Sequence, residues 1–196
     1  MAGRRLGAPD GIAGAVEETV QPDAVIASNT SGISLDTLAE ALGGPERFLG
    51  LHFFNPVPAS KLVEVVVATA TDPGLRDRAV AWVEALGKTA VVVRDAPGFA
   101  SSRLGVVLGL EAIRMVEAGV ASAEDIDAAM TLGYGHPTGP LRLTDLVGLD
   151  VRLGIARYLE REWGARFTPP DLLVRLVEQG HLGRKTGRGF YDWSTT

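Results

Sequence analysis

The sequence predicts two unlike halves, an α/β half over residues 1–95 and an all-helical half over residues 96–196. Two observations predict the division. Short apolar runs at 24–28, 48–54, 62–67 and 89–93 alternate with amphipathic stretches, in the order strand, helix, strand, strand, helix, strand of an open α/β sheet. Beyond Arg94-Asp95-Ala96-Pro97-Gly98 those runs cease and helical periodicity takes over. A third observation concerns use: His52 and Glu64 stand inside two of the apolar runs, where hydrophobicity alone would place neither.

Composition bounds the answer. With 196 residues, 46% hydrophobic and 22% charged, the chain has core enough for one domain or two small ones. A net charge of −5 without any long Lys/Arg run argues against a nucleic-acid partner. The longest apolar stretches fall well short of a membrane span. Cysteine is absent, which excludes disulfides and thiolate chemistry and suits the reducing cytoplasm.

Taken in order, residues 12–20 suit a short helix that stops before Pro22, because the residue preceding proline disfavours helix. Residues 24–28 form a continuous apolar run, the mark of a strand covered on both faces. The polar turn Asn29-Thr30-Ser31-Gly32 follows, then a helix from near Ser34 with Leu35, Leu38 and Leu42 at helical spacing, ended by Gly43-Gly44. Runs 48–54 and 62–67 flank a two-proline turn. Asp72-Pro73 opens a helix whose apolar face carries Leu75, Ala79, Trp82, Val83 and Leu86, with Trp82 read as core and Gly87 as the stop. Residues 89–93 complete the strands.

In the second half, 99–118 reads as one long helix closed by Gly119. Ser122-Ala123-Glu124-Asp125 is a capping-box-like start for the next helix, which Gly133 ends. Pro140 suits the first turn of a further helix after the loop from Gly135. Residues 150–162 and 171–179 give two more helices. Trp163 and Trp193 flank these last helices as core or interface residues. His136 and His181 lie in loops without partners at metal-ligand spacing.

In open α/β sheets, ligands bind beyond the carboxyl ends of strands. Asn29 and Ser31 follow one such end, and His52 and Asn55 lie at another, so four polar candidates converge on one rim. A lone buried carboxylate costs several kcal/mol, and the imidazole is its cheapest partner. A carboxylate bound to one ring nitrogen fixes the tautomer and makes the other nitrogen a base. On the residues alone, the pair stays open between a satisfied core histidine and such a base.

Three strings carry a family resemblance: Ser28-Asn29-Thr30-Ser31, Gly50-Leu51-His52-Phe53-Phe54-Asn55-Pro56-Val57-Pro58 and Lys61-Leu62-Val63-Glu64-Val65. With Asp95-Ala96-Pro97-Gly98-Phe99 and Gly183-Arg184-Lys185-Thr186-Gly187-Arg188-Gly189-Phe190-Tyr191, the chain from about residue 24 onward resembles the L-3-hydroxyacyl-CoA dehydrogenases, 3-hydroxybutyryl-CoA dehydrogenases included. The resemblance implies the later part of a Rossmann-type NAD-binding domain followed by a helical domain that dimerises. It implies NAD as cofactor, an acyl-CoA substrate and a homodimer. His52 falls on the family's catalytic base and Glu64 on the carboxylate that orients it. Ser31 matches a serine touching both the substrate oxygen and the nicotinamide. Asn29, Asn55 and Lys185 fall at the cofactor. Ser102 stands before Arg103 where the family has an asparagine, and its hydroxyl takes that catalytic-group position.

The family's glycine-rich first turn, Gly-x-Gly-x-x-Gly, has no counterpart in these 196 residues. The resemblance therefore implies a fragment, a truncated product or one piece of a split protein, with little NAD binding or turnover of its own. Two other readings stand beside this one: a dehydrogenase of a non-CoA hydroxy acid, and a non-catalytic module that dimerises or binds acyl-CoA.

Overall fold

Residues 9–194 are described in the structure, a computed structural model. The chain divides into two compact units, Met1–Phe99 and Ala100–Thr196.

The first unit is built on four strands, β1 (Ile26–Ser28), β2 (Phe48–Phe53), β3 (Leu62–Val67) and β4 (Thr89–Arg94), arranged in that spatial order. β1 runs parallel to β2, β2 antiparallel to β3, and β3 parallel to β4. Side chains alternate between faces along each strand, so the sheet sorts its apolar residues into two layers. Leu49, Val63 and Val65 face helix α3 (Pro73–Ala85), which meets them with Leu75, Ala79 and Val83. Phe48 and Val66 face the other way, toward α1 (Pro9–Thr19) and α2 (Leu35–Ala39), through Ala13, Leu35, Leu38 and Ala39. Gly50 lies on this second face. A Cβ there would sit 2.7 Å from Leu35 Cδ1 and 2.9 Å from Val66 Cβ, so only glycine lets α2 approach this closely.

Local chemistry sets the ends of the elements. The Ser34 hydroxyl caps α2 by accepting from the Thr37 amide, and it donates to the Asp95 carboxylate at 2.7 Å. That same Asp95 oxygen also takes the Asp36 amide. α2 ends at Ala39, short of the expected glycine stop. The amides of Gly43 and Gly44 turn instead to the Glu17 carboxylate, at 2.6 and 2.9 Å, and no longer serve a helical ladder. Asp72 caps α3 through the Leu75 amide, with Pro73 in the first turn as N-terminal helix chemistry favours. Trp82, expected in the core, is 39% exposed and lies beneath the Arg78 guanidinium. Its helix covers β4, the edge of the sheet, where no further strand is present among the described residues to bury the flanking ring.

The second unit is helical: α4 (Ser101–Glu117), α5 (Ala123–Tyr134), α6 (Pro140–Val147), α7 (Leu149–Trp163) and α8 (Asp171–Glu178). Leu110, Ile113, Leu141, Leu149, Leu159, Phe167 and Leu173 form its core. α5 starts at the predicted Ser122 cap but runs past Gly133. It ends at Gly135, which takes the left-handed conformation at φ 69 and donates its N–H to Met130. Two buried carboxylates then fasten the remaining elements. Asp127 accepts the Leu141 and Arg142 amides at the start of α6, both at 2.8 Å. Asp145, 1% exposed, accepts the Phe190 and Tyr191 amides and the Trp193 indole N–H. Trp193 is thus core, whereas Trp163 is exposed, beneath the Arg103 guanidinium. No described helix is long and apolar enough to cross a membrane.

Candidate active site

His52 and Glu64 are direct cross-strand partners in the antiparallel β2–β3 pair. Such partners have Cβ atoms about 4.5–5.5 Å apart, close enough for a short side-chain bond. Nδ1 of His52 lies 2.7 Å from Glu64 Oε2, with the histidine 6% and the glutamate 1% exposed. An ionised carboxylate only accepts, so the neutral imidazole donates through Nδ1–H and keeps its lone pair on Nε2. The rings of Phe54 and Phe99 flank the imidazole, with centroids at 4.4 and 5.6 Å. Val66, Leu35 and Phe48 complete the apolar layer.

The parallel pairing of β1 and β2 brings their carboxyl ends to one rim, as the sequence pattern indicates. Asn29, just beyond β1, accepts the Phe53 amide through its side-chain oxygen at 2.8 Å. This clamps the two strand ends together and leaves the carboxamide NH₂ as a donor. The turn after Asn29 is shaped by Thr30, whose hydroxyl accepts the Gly32 and Ile33 amides, a local competition with helix that hydroxyl side chains favour. Ser31 on this turn and Asn55 beyond β2 are exposed. The Asn55–Pro56 peptide is cis. Lys88 holds the following turn by donating to the carbonyls of Val57 and Ser60 at 2.7 and 2.5 Å.

The two candidates of the second unit are placed differently. Ser102 lies in the first turn of α4, half-buried. Lys185 lies in the short 3-10 turn Arg184–Thr186, and its ammonium is 2.7 Å from an Asp150 oxygen. That hydrogen bond is the main reason the Asp150 carboxyl sits below the usual aspartate range. The glycines of the Lys185 string have a structural reason. A Cβ at Gly189 would meet the Asp145 carboxylate at 2.2 Å, and one at Gly183 would strike the Asp145 backbone at 2.3 Å.

Three features of the rim and its surroundings escaped the sequence reading: the aromatic packing on His52, the Asn29 clamp, and the Asp95 carboxylate that braces α2. Phe99 carries a signal only in hindsight, since it follows Pro97-Gly98 in a string whose role the sequence leaves unstated. Among the described residues, no group of three His, Asp or Glu side chains is placed to hold a metal ion.

The arrangement is a buried carboxylate–imidazole pair beside a rim of amide and hydroxyl groups. Residues 10–96 match the model of the 3-hydroxyacyl-CoA dehydrogenase NAD binding domain, and residues 98–193 that of the C-terminal domain. A 3-hydroxybutyryl-CoA dehydrogenase of Mycobacterium tuberculosis is 50% identical over 174 residues, 88% of this chain and 61% of that protein. One from Bradyrhizobium diazoefficiens is 46% identical over 175 residues, 89% of this chain and 60% of that protein. The crystal structure of (S)-3-hydroxybutyryl-CoA dehydrogenase from Ralstonia eutropha superposes with a TM-score of 0.91 at 38% identity, covering 100% of this chain and 69% of that one. The chain thus spans about three fifths of the length of the curated relatives it matches. Matches to both domains, in chain order and nearly end to end, mean that the chain belongs to the 3-hydroxyacyl-CoA dehydrogenase family.

Proposed function

We propose that this protein is an NAD-dependent dehydrogenase that oxidises an L-3-hydroxyacyl-CoA, such as 3-hydroxybutyryl-CoA, to the 3-ketoacyl-CoA in fatty-acid metabolism. The observation that carries the reading is the His52–Glu64 pair, 2.7 Å apart and buried, at the carboxyl end of β2. Glu64 fixes the tautomer, so Nε2 takes the hydroxyl proton as the C3–H bond of the substrate breaks. The imidazolium that results faces an anion already in place, at no cost of reorganisation. A base so positioned contributes about 10²–10⁴ in rate.

NAD, when bound, supplies the hydride acceptor. Ser31, Asn29 and Asn55 fit its nicotinamide end: Ser31 and Asn55 are exposed on the rim, and the Asn29 NH₂ stays a donor while its oxygen is engaged. The glycine turn that meets a pyrophosphate is not among the 196 residues, so the fit extends to the nicotinamide end alone. In the second unit, Ser102 is the proposed substrate contact and Lys185 the proposed cofactor contact.

A cytoplasmic homodimer goes with this reading. Leu104, Leu108, Leu132 and Tyr134 are exposed on α4 and α5 of the second unit, more apolar surface than a solitary bundle ordinarily leaves in water. Light scattering on a size-exclusion column checks it, and a clean monomer at micromolar concentration would count against it.

The activity test is NADH-dependent reduction of acetoacetyl-CoA. It is run on the chain itself and on a chimera joined to the part of the M. tuberculosis relative outside the match. Turnover by the chimera that disappears with His52→Gln supports the reading. Turnover of free hydroxy or keto acids, with none of the CoA ester, would overturn it.

A further inference from the structure

Phe99 has a backbone that its role as core filler does not explain. Its φ is +46, and it is the only residue other than glycine with a positive φ among the described residues. A bulky side chain adopts this conformation only where its surroundings over-determine it, and such residues cluster at functional sites. The strain has a local origin. Gly98 precedes it at φ 77, and the Phe99 amide closes a turn onto the Ala96 carbonyl at 2.8 Å. Two successive left-handed residues swing the benzyl group back over the sheet, where it is 6% exposed.

What the ring meets there is the imidazole. The rings of Phe99 and His52 stand at 62°, edge against face, with centroids 5.6 Å apart, and Phe54 tilts against the same imidazole at 4.4 Å. Edge-on contact is the arrangement that aromatic quadrupoles favour. A leucine in a relaxed backbone would fill apolar space beside Leu35 and Phe48 equally well, so filling space does not require the strained aromatic.

We infer that Phe99 is a positioning residue for His52: with Phe54 it closes the imidazole between two rings, bars rotation about the Cβ–Cγ bond, and keeps Nδ1 on Glu64 and Nε2 toward the rim. Glu64 alone anchors one ring atom and leaves the ring free to swing about that bond. The two phenyl rings remove that freedom and keep water from competing for Nδ1–H. The inference rests on the dehydrogenase reading for its purpose, but its geometry stands apart from that reading.

The test therefore has a readout without turnover. Histidine is labelled in the ring nitrogens, and with three histidines in the chain, His52→Gln assigns the signal. Nitrogen NMR then reports the Nδ1–H tautomer and its exchange with water in the full chain, in Phe99→Leu and in Phe99→Ala. Phe99→Leu, which keeps most of the apolar volume, should retain the melting temperature yet exchange its Nδ1–H about tenfold or more faster and mix tautomers. In the chimera, the same substitution should lower kcat about tenfold with KM held within about twofold. A folded Phe99→Leu whose His52 signal matches the unsubstituted chain overturns the inference and leaves Phe99 a core residue. So does the absence of a protected Nδ1–H in the unsubstituted chain. An inactive chimera with the NMR effect intact removes the dehydrogenase reading and leaves the positioning role standing.

Discussion

Glu64→Gln separates the charge of the dyad from its shape. The two side chains are nearly isosteric, and the amide oxygen still accepts Nδ1–H, so the fold and the tautomer survive. Only the anion is lost. Its worth follows from the site: the carboxylate and the imidazole are 2.7 Å apart at the contact, 1% and 6% exposed. A charge separation of about 4 Å at an effective dielectric of about 20 gives about 4 kcal/mol. The neutral amide bond returns about 1 kcal/mol of that. The remaining ~3 kcal/mol acts only when the imidazole carries the substrate proton, so it falls on kcat as a loss of roughly 10²-fold. Steady-state kinetics of the chimera at several pH values measure it. KM should hold. A Glu64→Gln enzyme with unchanged kcat, or one whose whole defect lies in KM, would refute the reasoning and make Glu64 a structural partner only.

Other substitutions probe the remaining links. His52→Gln should cut kcat by about 10²–10⁴ while the melting temperature stays close, since the amide still reaches Glu64; retained activity would return His52 to the core. Gly50→Ala forces a methyl into the 2.7 Å gap to Leu35 and should cost about 1–3 kcal/mol by urea denaturation. Asp145→Ala leaves the Phe190 and Tyr191 amides and the Trp193 indole without their acceptor. At about 1–3 kcal/mol each, that is a loss of about 3 kcal/mol or more, with faster hydrogen exchange at Phe190 and Tyr191. Arg152 is 5% exposed, its Nε has no hydrogen-bond partner among the described residues, and burial lowers the guanidinium to about 10. Because the folded value lies below the ordinary 12.5, the charge opposes folding at every pH below about 10, and the opposition fades only between those two values. Arg152→Met should therefore stabilise the protein at neutral pH by about 1–4 kcal/mol, and a comparable loss in denaturation would mean that the guanidinium has a partner.

What the sequence revealed and what it hid divide along a physical line. The strands were legible because each is a short apolar run with polar punctuation, a pattern that depends only on neighbours in the chain. His52 and Glu64 were legible because each breaks such a pattern at a cost that burial must repay with a partner. Their pairing needed more than pattern. The register His52↔Glu64 depends on how the turn over residues 54–61 closes, and that turn is held by Lys88, which comes to it from 31 and 28 residues away in sequence.

The misplaced end of α2 has the same cause. Glu17 claims the Gly43 and Gly44 amides from 26 and 27 residues away, and no window around those glycines contains it. Exposure of Trp82 likewise follows from its helix lying over an edge strand, a fact of strand order and not of helical period. The glycines near Lys185 add a packing reason to a string quoted only for its resemblance: Gly183 and Gly189 are where the chain comes against Asp145 too closely for any Cβ. A motif fixes which residues must recur together. Whether each serves chemistry or the packing that supports it becomes visible only with the partner in place, and for Phe99 it takes the φ angle as well.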